Sequence, residues 1–312
     1  MKPYFKKKNL LFVFLLFLSV NLFAQEDLEK LMQEQEEKPK KEFATASFKG
    51  TRLINYHTIE TLGKRTLEFR ISHRFGTLNT GANNLWGVEG PATIRLALEY
   101  SYNGRLMFGL GRSSAGKLID VFTKYRILKQ TTDNSMPISV TGVVSANLTT
   151  QKTLINGDAT GVENYPHFSD KMAYMAQLII GRKFSNSFSF QVSPMYIHYN
   201  LVPLITDKND IFAMIVSGRI KLTKRMALTG EYAFRMNKYS LDEKGYNYHN
   251  SAGLGIDIET GGHVFQIFVT NSYAINEILT IPYTNTAWKT GGIRVGFNIT
   301  RVFTAGAGKQ KN

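Results

Sequence analysis

Residues 66–75 run Thr66-Leu67-Glu68-Phe69-Arg70-Ile71-Ser72-His73-Arg74-Phe75, and the order of residue types there decides the fold. Successive side chains of a strand point to opposite faces, so Leu67, Phe69, Ile71 and Phe75 share one face while Glu68, Arg70, Ser72 and Arg74 share the other. One face suits hydrocarbon and the other carries ions. Residues 92–100 repeat the arrangement, with Ile94, Leu96, Leu98 and Tyr100 set against Thr93, Arg95, Ala97 and Glu99.

Ten further segments extend the pattern: 105–111, 118–128, 138–147, 172–184, 188–198, 212–222, 226–235, 251–259, 263–271 and 292–301. Three are imperfect. The first is glycine-rich, the Val143-Val144 pair breaks the phase of 138–147, and the faces of 263–271 are ambiguous. The connections separate into two classes. Asn103-Gly104, 185–187, 223–225 and 260–262 are tight turns, and Asn-Gly is a strong hairpin signal. Residues 76–91, 148–171, 199–211, 236–250 and 272–287 are long. Only 112–117 is of middling length, and 129–137 is longer than its class predicts.

An alternating short and long rhythm is expected when two rims of one sheet face different compartments. In hydrocarbon every backbone amide must be paired, so a spanning sheet has to close on itself. The expected fold is therefore all-β, a single transmembrane antiparallel up-and-down barrel of about twelve strands, with short periplasmic turns and long extracellular loops. Tyr100, Phe108, Tyr125, Phe184, Phe188, Tyr196, Tyr232, Phe234 and Phe297 lie near strand ends and supply interface girdles.

The charged face is expected to line the lumen. Its basic members are Arg70, Arg74, Arg95, Lys124, Arg126, Lys183, Arg219, Lys221, Arg235 and Arg294, and its acidic members are Glu68, Glu99, Asp120, Glu231, Asp257 and Glu259. Ten basic groups against six acidic ones favour anions, because fixed positive charge lowers the barrier for negative solutes. The opposing possibility is that these groups pair with one another and fill a small barrel.

At the amino end, Lys2, Lys6, Lys7 and Lys8 precede an apolar stretch over 10–18 and a small residue at Ala24, which is the form of a cleaved secretory signal over 1–24. Residues 25–47 then read as a charged periplasmic linker, 48–304 as the barrel and 305–312 as a short tail. No cysteine occurs, which excludes a lipid-modified bacterial anchor and disulfides. The formal charge is +14, and removing the four signal lysines leaves +10. Export argues against nucleic acid as a partner and leaves outer-membrane lipid and small anionic solutes. A periplasmic or surface protein could also engage the linker and long loops. No apolar run after residue 24 is long enough for a membrane helix.

Several phrases resemble a known family: Thr61-Leu62-Gly63-Lys64 leading into 66–76, Ile94-Arg95-Leu96-Ala97-Leu98-Glu99-Tyr100, and Gly109-Leu110-Gly111-Arg112-Ser113-Ser114. Lys124-Tyr125-Arg126, Ile180-Gly181-Arg182-Lys183-Phe184 and Gly262-His263-Val264-Phe265-Gln266 also fit. Together, over about 48–303, they resemble outer-membrane β-barrel proteins of Bacteroidetes-type bacteria that are catalogued as a domain of unknown function. The resemblance implies location and fold and assigns no site residue.

Three motifs invite chemistry. Residues 111–117 have the spacing of a phosphate loop, but Leu118 replaces the Ser or Thr that would hold magnesium and the flanks are strands. The six histidines, His57, His73, His167, His198, His249 and His263, show no metal-ligand spacing. Ser72 with His73, or Ser193 with His198, could be invoked for an outer-membrane hydrolase, yet neighbours on a strand point to opposite faces. No cofactor, metal or catalytic residue is expected. The reading is a narrow pore or a plugged structural barrel in the outer membrane, with an anchor for a protein complex and a hydrolase as alternatives.

Overall fold

The computed structural model describes residues 42–152, 165–202, 207–237 and 248–304. The expected signal at 1–24, most of the linker at 25–47, the tail at 305–312 and the middle of the 148–171 connection lie outside them. Twelve strands are present: β1 (Thr66–Thr77), β2 (Thr93–Ser101), β3 (Leu106–Ser113), β4 (Leu118–Leu128), β5 (Ser139–Thr149) and β6 (Met172–Lys183), then β7 (Phe188–Tyr199), β8 (Asp210–Lys221), β9 (Met226–Arg235), β10 (Ser251–Thr260), β11 (His263–Thr270) and β12 (Arg294–Thr304). Each pairs antiparallel with its neighbours, and β12 pairs with β1 to close the ring. The expected and observed segments agree to within three residues at every end. Strand lengths of 8 to 12 residues suit the roughly 9–11 residues a tilted strand needs to cross a bilayer.

Alternation is stricter than the sequence suggested. Val143 is 2% exposed and Val144 57%, so the valine pair carries the phase of β5 through without a break. In β11 the interior face holds Gln266, Phe268 and Thr270, and Ile267 turns outward. The outward faces carry Leu96, Leu98, Phe108, Leu110, Leu178, Phe212 and Leu254, an apolar band with Tyr100, Tyr125, Phe184, Phe188, Tyr196, Tyr232 and Phe234 also exposed. No helix of the described residues is long and apolar enough to cross a membrane.

The barrel wall begins at Thr66, as the first alternating segment indicated, and residues 48–65 of the expected barrel region lie ahead of it as a non-wall segment. All of 47–59 is buried except half-buried Lys49. This segment enters the ring from the rim of short turns, reverses and returns to start β1. Leu53 N donates to Tyr56 O and Thr58 N to Thr51 O, both at 2.9 Å, which makes 51–58 a tight hairpin. From the opposite rim the last long connection, between β11 and β12, folds inward and forms a single buried helical turn, α1 (Glu277–Thr280), capped by the Asn276 side chain. Among the described residues this connection supplies an inward-folded loop.

Candidate functional site

The interior of the ring is a filled lumen. In a water-filled channel long charged side chains would be wet, yet Arg74, Lys124 and Glu99 are 0% exposed and Arg70 and Arg95 are 1%. Of the two possibilities for the charged face, a wet lumen or a filled one, this structure has the filled one, with the hairpin and neighbouring wall groups supplying many of the contacts that water would make. Ions buried this way are costly unless paired and fully hydrogen-bonded.

The pairing is local. Arg95 forms a two-pronged bond with Asp120, Nε to Oδ1 at 3.0 Å and a second nitrogen to Oδ2 at 2.5 Å. Glu68 and Glu99 are directly opposite in the β1–β2 register, a repulsive arrangement in isolation. Arg70 relieves it, at 2.7 Å from Glu68 and 3.9 Å from Glu99, and Thr51 of the hairpin donates its hydroxyl to Glu99 at 2.8 Å.

The hairpin is held mainly by wall side chains that reach its backbone. Glu231 of β9 accepts from the amides of Ile54, Asn55 and Tyr56 at 3.1, 2.8 and 3.4 Å. Arg74 donates to the Ile54 carbonyl at 3.0 Å and to Asn55 Oδ1 at 3.1 Å, and Asn298 donates to the same carbonyl at 3.1 Å. Lys124 donates to Thr51 O at 3.0 Å. On the other flank Gln191 accepts from Ile59 N at 3.1 Å and donates to His57 O at 2.9 Å, while Thr141 donates to Ile59 O at 2.9 Å.

Two plugs meet in the middle. Arg52 of the hairpin pairs with Glu277 of α1 at 2.5 Å and also contacts His57 Nε2 at 2.8 Å. The loop around α1 is further tied by Asn276 donating to Asn147 at 3.0 Å and by the Tyr199 hydroxyl donating to Ile278 O.

One sector of the wall, on β6 to β8, is largely apolar. On the inward faces of β6 to β8 stand Met175, Ile179, Met195, Ile197, Ile211, Ala213 and Ile215, each at most 3% exposed. They form one cluster with Phe48, Leu53, Tyr56 and Ile59 of the hairpin and with Ile278, Leu279 and Tyr283 of the inward loop. Burying each such side chain contributes about 1.5–3 kcal/mol. Charge reading missed this wall, yet a signal was present: apart from Gln177, 172–180 carries no strongly polar side chain on either face, the mark of a strand covered on both sides.

Among the expected lumen residues, Arg70, Arg74, Arg95, Lys124, Arg126 and Arg219 are buried, as are Glu68, Glu99, Asp120, Glu231 and Asp257. Asp257 accepts from Gln266 at 3.0 Å. Lys183, Lys221, Arg235, Arg294 and Glu259 are half-buried near the strand ends. Glu259 pairs with Lys49, and Arg126 reaches Glu60 at 3.0 Å. Six buried wall bases against five acids leave little excess charge at the centre, with Arg52 and Glu277 adding one of each.

The hairpin's outer arm is clamped where it leaves the ring. Phe43 bridges to Thr131, Ala44 N donates to Gln130 O at 2.9 Å, and Lys183 donates to Thr45 O at 2.9 Å. That contact accounts for the unusual length of the connection between β4 and β5. In the same connection, hydrogen bonds from Thr131 and Ser135 hold the Asp133 carboxyl down to about 2.

The hydrolase pairs are not assembled. Ser72 faces inward and His73 outward, stacked on Phe297 at 5.2 Å. Ser193 is buried against Gln177, while His198 lies outside, 2.7 Å from Asp210.

Residues 48–303 match a family model described as a membrane bound beta barrel domain of unknown function. No curated protein matches the chain. Among solved structures, the NanC porin aligns at 9% identity and TM-score 0.45, over 77% of this chain and 99% of its own. The KdgM porin, solved in complex with disordered oligogalacturonate, aligns at 7% identity and TM-score 0.44, over 77% and 99%. The COG4313 outer membrane channel from Pseudomonas putida F1 aligns at 13% and 0.45, over 78% and 98%.

Proposed function

The chain belongs to this family of membrane-bound β-barrel domains, and from that premise we propose that it is an outer-membrane channel for small solutes kept closed by its own amino-proximal hairpin. The observation that carries the reading is how the hairpin is attached. Both of its arms reach the rim of short turns, and between residues 45 and 62 its described backbone-to-backbone bonds lie within the hairpin itself. It can therefore withdraw toward the periplasm without breaking a rung of the wall. The polar groups it leaves behind on β1 to β4 are ions and hydroxyls that water can satisfy, so the vacated path wets on that side.

Withdrawal also changes the charge. The hairpin takes Lys49 and Arg52 with it and leaves the ten basic and six acidic wall positions together with Glu277 of the inward loop, a net excess of three positive charges facing the path. The open channel consequently favours anions.

The test is planar-bilayer conductance with reversal potentials measured in a salt gradient. The intact chain should stay closed. A variant with a specific protease site inserted between Gly63 and Lys64, both exposed at the short-turn rim, should conduct after cutting and prefer chloride over potassium. A cut barrel that has lost the hairpin and still does not conduct defeats the channel reading, and a cation preference defeats its anionic form.

A further inference from the structure

The wall grips the hairpin by the part of it that every polypeptide shares. Glu231 gathers three consecutive amide groups, and Arg74 and Asn298 converge on the carbonyl of Ile54. Gln191 is more telling. It accepts from the amide of Ile59 and donates to the carbonyl of His57, the two groups that share one edge of an extended chain, so its side-chain amide completes the pairing a neighbouring strand would make. Lys124 and Thr141 take two further carbonyls.

Beside these polar groups the wall leaves room for apolar side chains. A Cβ on Gly253 would lie 3.0 Å from Ile54 Cδ1, and one on Gly181 would lie 2.9 Å from Ile59 Cγ2, so each glycine opens a recess that one hairpin side chain fills. A sugar or a small inorganic anion offers neither the alternating amide and carbonyl edge nor the apolar groups.

We infer that the surface under the hairpin is a peptide-binding site, that the solutes the channel admits are short peptides carrying apolar side chains, and that the hairpin is a tethered peptide occupying that site. The inference rests on the channel reading for its route in, but not for the binding itself. Backbone contacts make the site tolerant of sequence, with the two glycine recesses setting a preference for aliphatic residues five positions apart, as Ile54 and Ile59 are. The positive excess of the emptied wall adds a preference for acidic over basic peptides.

The experiment uses the full chain, folded and reconstituted with the protease site between Gly63 and Lys64, then cut so that the hairpin becomes a separate ligand. The probe is a fluorescein-labelled peptide with the sequence of residues 47–60, followed by fluorescence anisotropy. Labelled peptide should enter as the cut fragment leaves. Methylating its amide nitrogens at the positions of Asn55 and Ile59 should weaken binding by about tenfold or more, since each removes a donor that the wall pairs with. Glu231→Gln should weaken the unmodified peptide more than the methylated one, and a dextran of similar length should not compete. No entry of the labelled peptide, equal binding of the methylated form, or competition by dextran overturns the inference. Conductance of the same cut sample is read separately. Peptide binding without conductance defeats the channel and keeps the site, whereas conductance without peptide binding does the reverse.

Discussion

The inner wall of the barrel changes character around the ring. Across β1 to β4 it holds Glu68, Arg70, Arg74, Arg95, Glu99, Asp120 and Lys124, whereas across β6 to β8 it holds Met175, Ile179, Met195, Ile197, Ile211 and Ile215. The charged side could face water or protein equally well. The apolar side could not, because bare it would expose a continuous hydrophobic surface to the lumen. The hairpin and the inward loop answer both demands at once, presenting backbone and Arg52 to one side and Phe48, Leu53, Ile59 and Leu279 to the other. In the closed barrel the apolar wall is therefore covered, and the charged wall is the side along which a route can open.

The sharpest test falls on the charged side. Arg95→Ala leaves Asp120 buried without its partner and should destabilise the barrel by about 3–5 kcal/mol, whereas Arg95→Leu combined with Asp120→Leu should be close to neutral. Equilibrium unfolding in urea from lipid vesicles, followed by heat-modifiable gel mobility, measures both. If Arg95→Ala cost under a third of that, water would be reaching Asp120.

Next comes the apolar side, where Ile215→Ala should cost about 2–5 kcal/mol by the same measurement, because it opens a cavity in a dry cluster. In a wet pore the same change would be neutral, so a null result would erase the contrast between the walls. At the seam, Glu231→Gln keeps the shape of the side chain but loses the charge that three amides point toward. Its expected cost is about 1.5–3 kcal/mol, together with more frequent channel openings. The smallest effect is expected outside the barrel. His198 and Asp210 have side chains 37% and 53% exposed, so His198→Ala should change stability by less than about 1 kcal/mol.

Much of the fold was legible. The period of two in 66–75 and 92–100, repeated along the chain, identified the strands and their faces, and the unequal connections identified an up-and-down ring with two unlike rims. The phase break proposed at Val143-Val144 did not exist. Val143 is a valine turned inward against the hairpin's cluster, and an apolar residue on a lumen face looks like an error when the lumen is assumed to be wet. The same assumption hid the wall of β6 to β8. The role of residues 48–59 was not legible either, since their Phe48, Leu53, Ile54, Tyr56 and Ile59 lack any strand period, and only a partner surface explains why they are buried.

What the amino-acid sequence determined by itself was everything that depends on local periodicity: twelve strands, which side chains share a face, which turns are tight, and that ions line one side of the sheet. What only the tertiary structure decided was the state of that lined space. Arg52 meets Glu277 across 225 positions of chain, and Ile54 meets Glu231 across 177. No local pattern encodes such contacts, because they arise when closing the ring brings a charged wall, an apolar wall and the amino-proximal hairpin within reach of one another, and burial then selects the arrangement in which most of the ions and the apolar groups find partners.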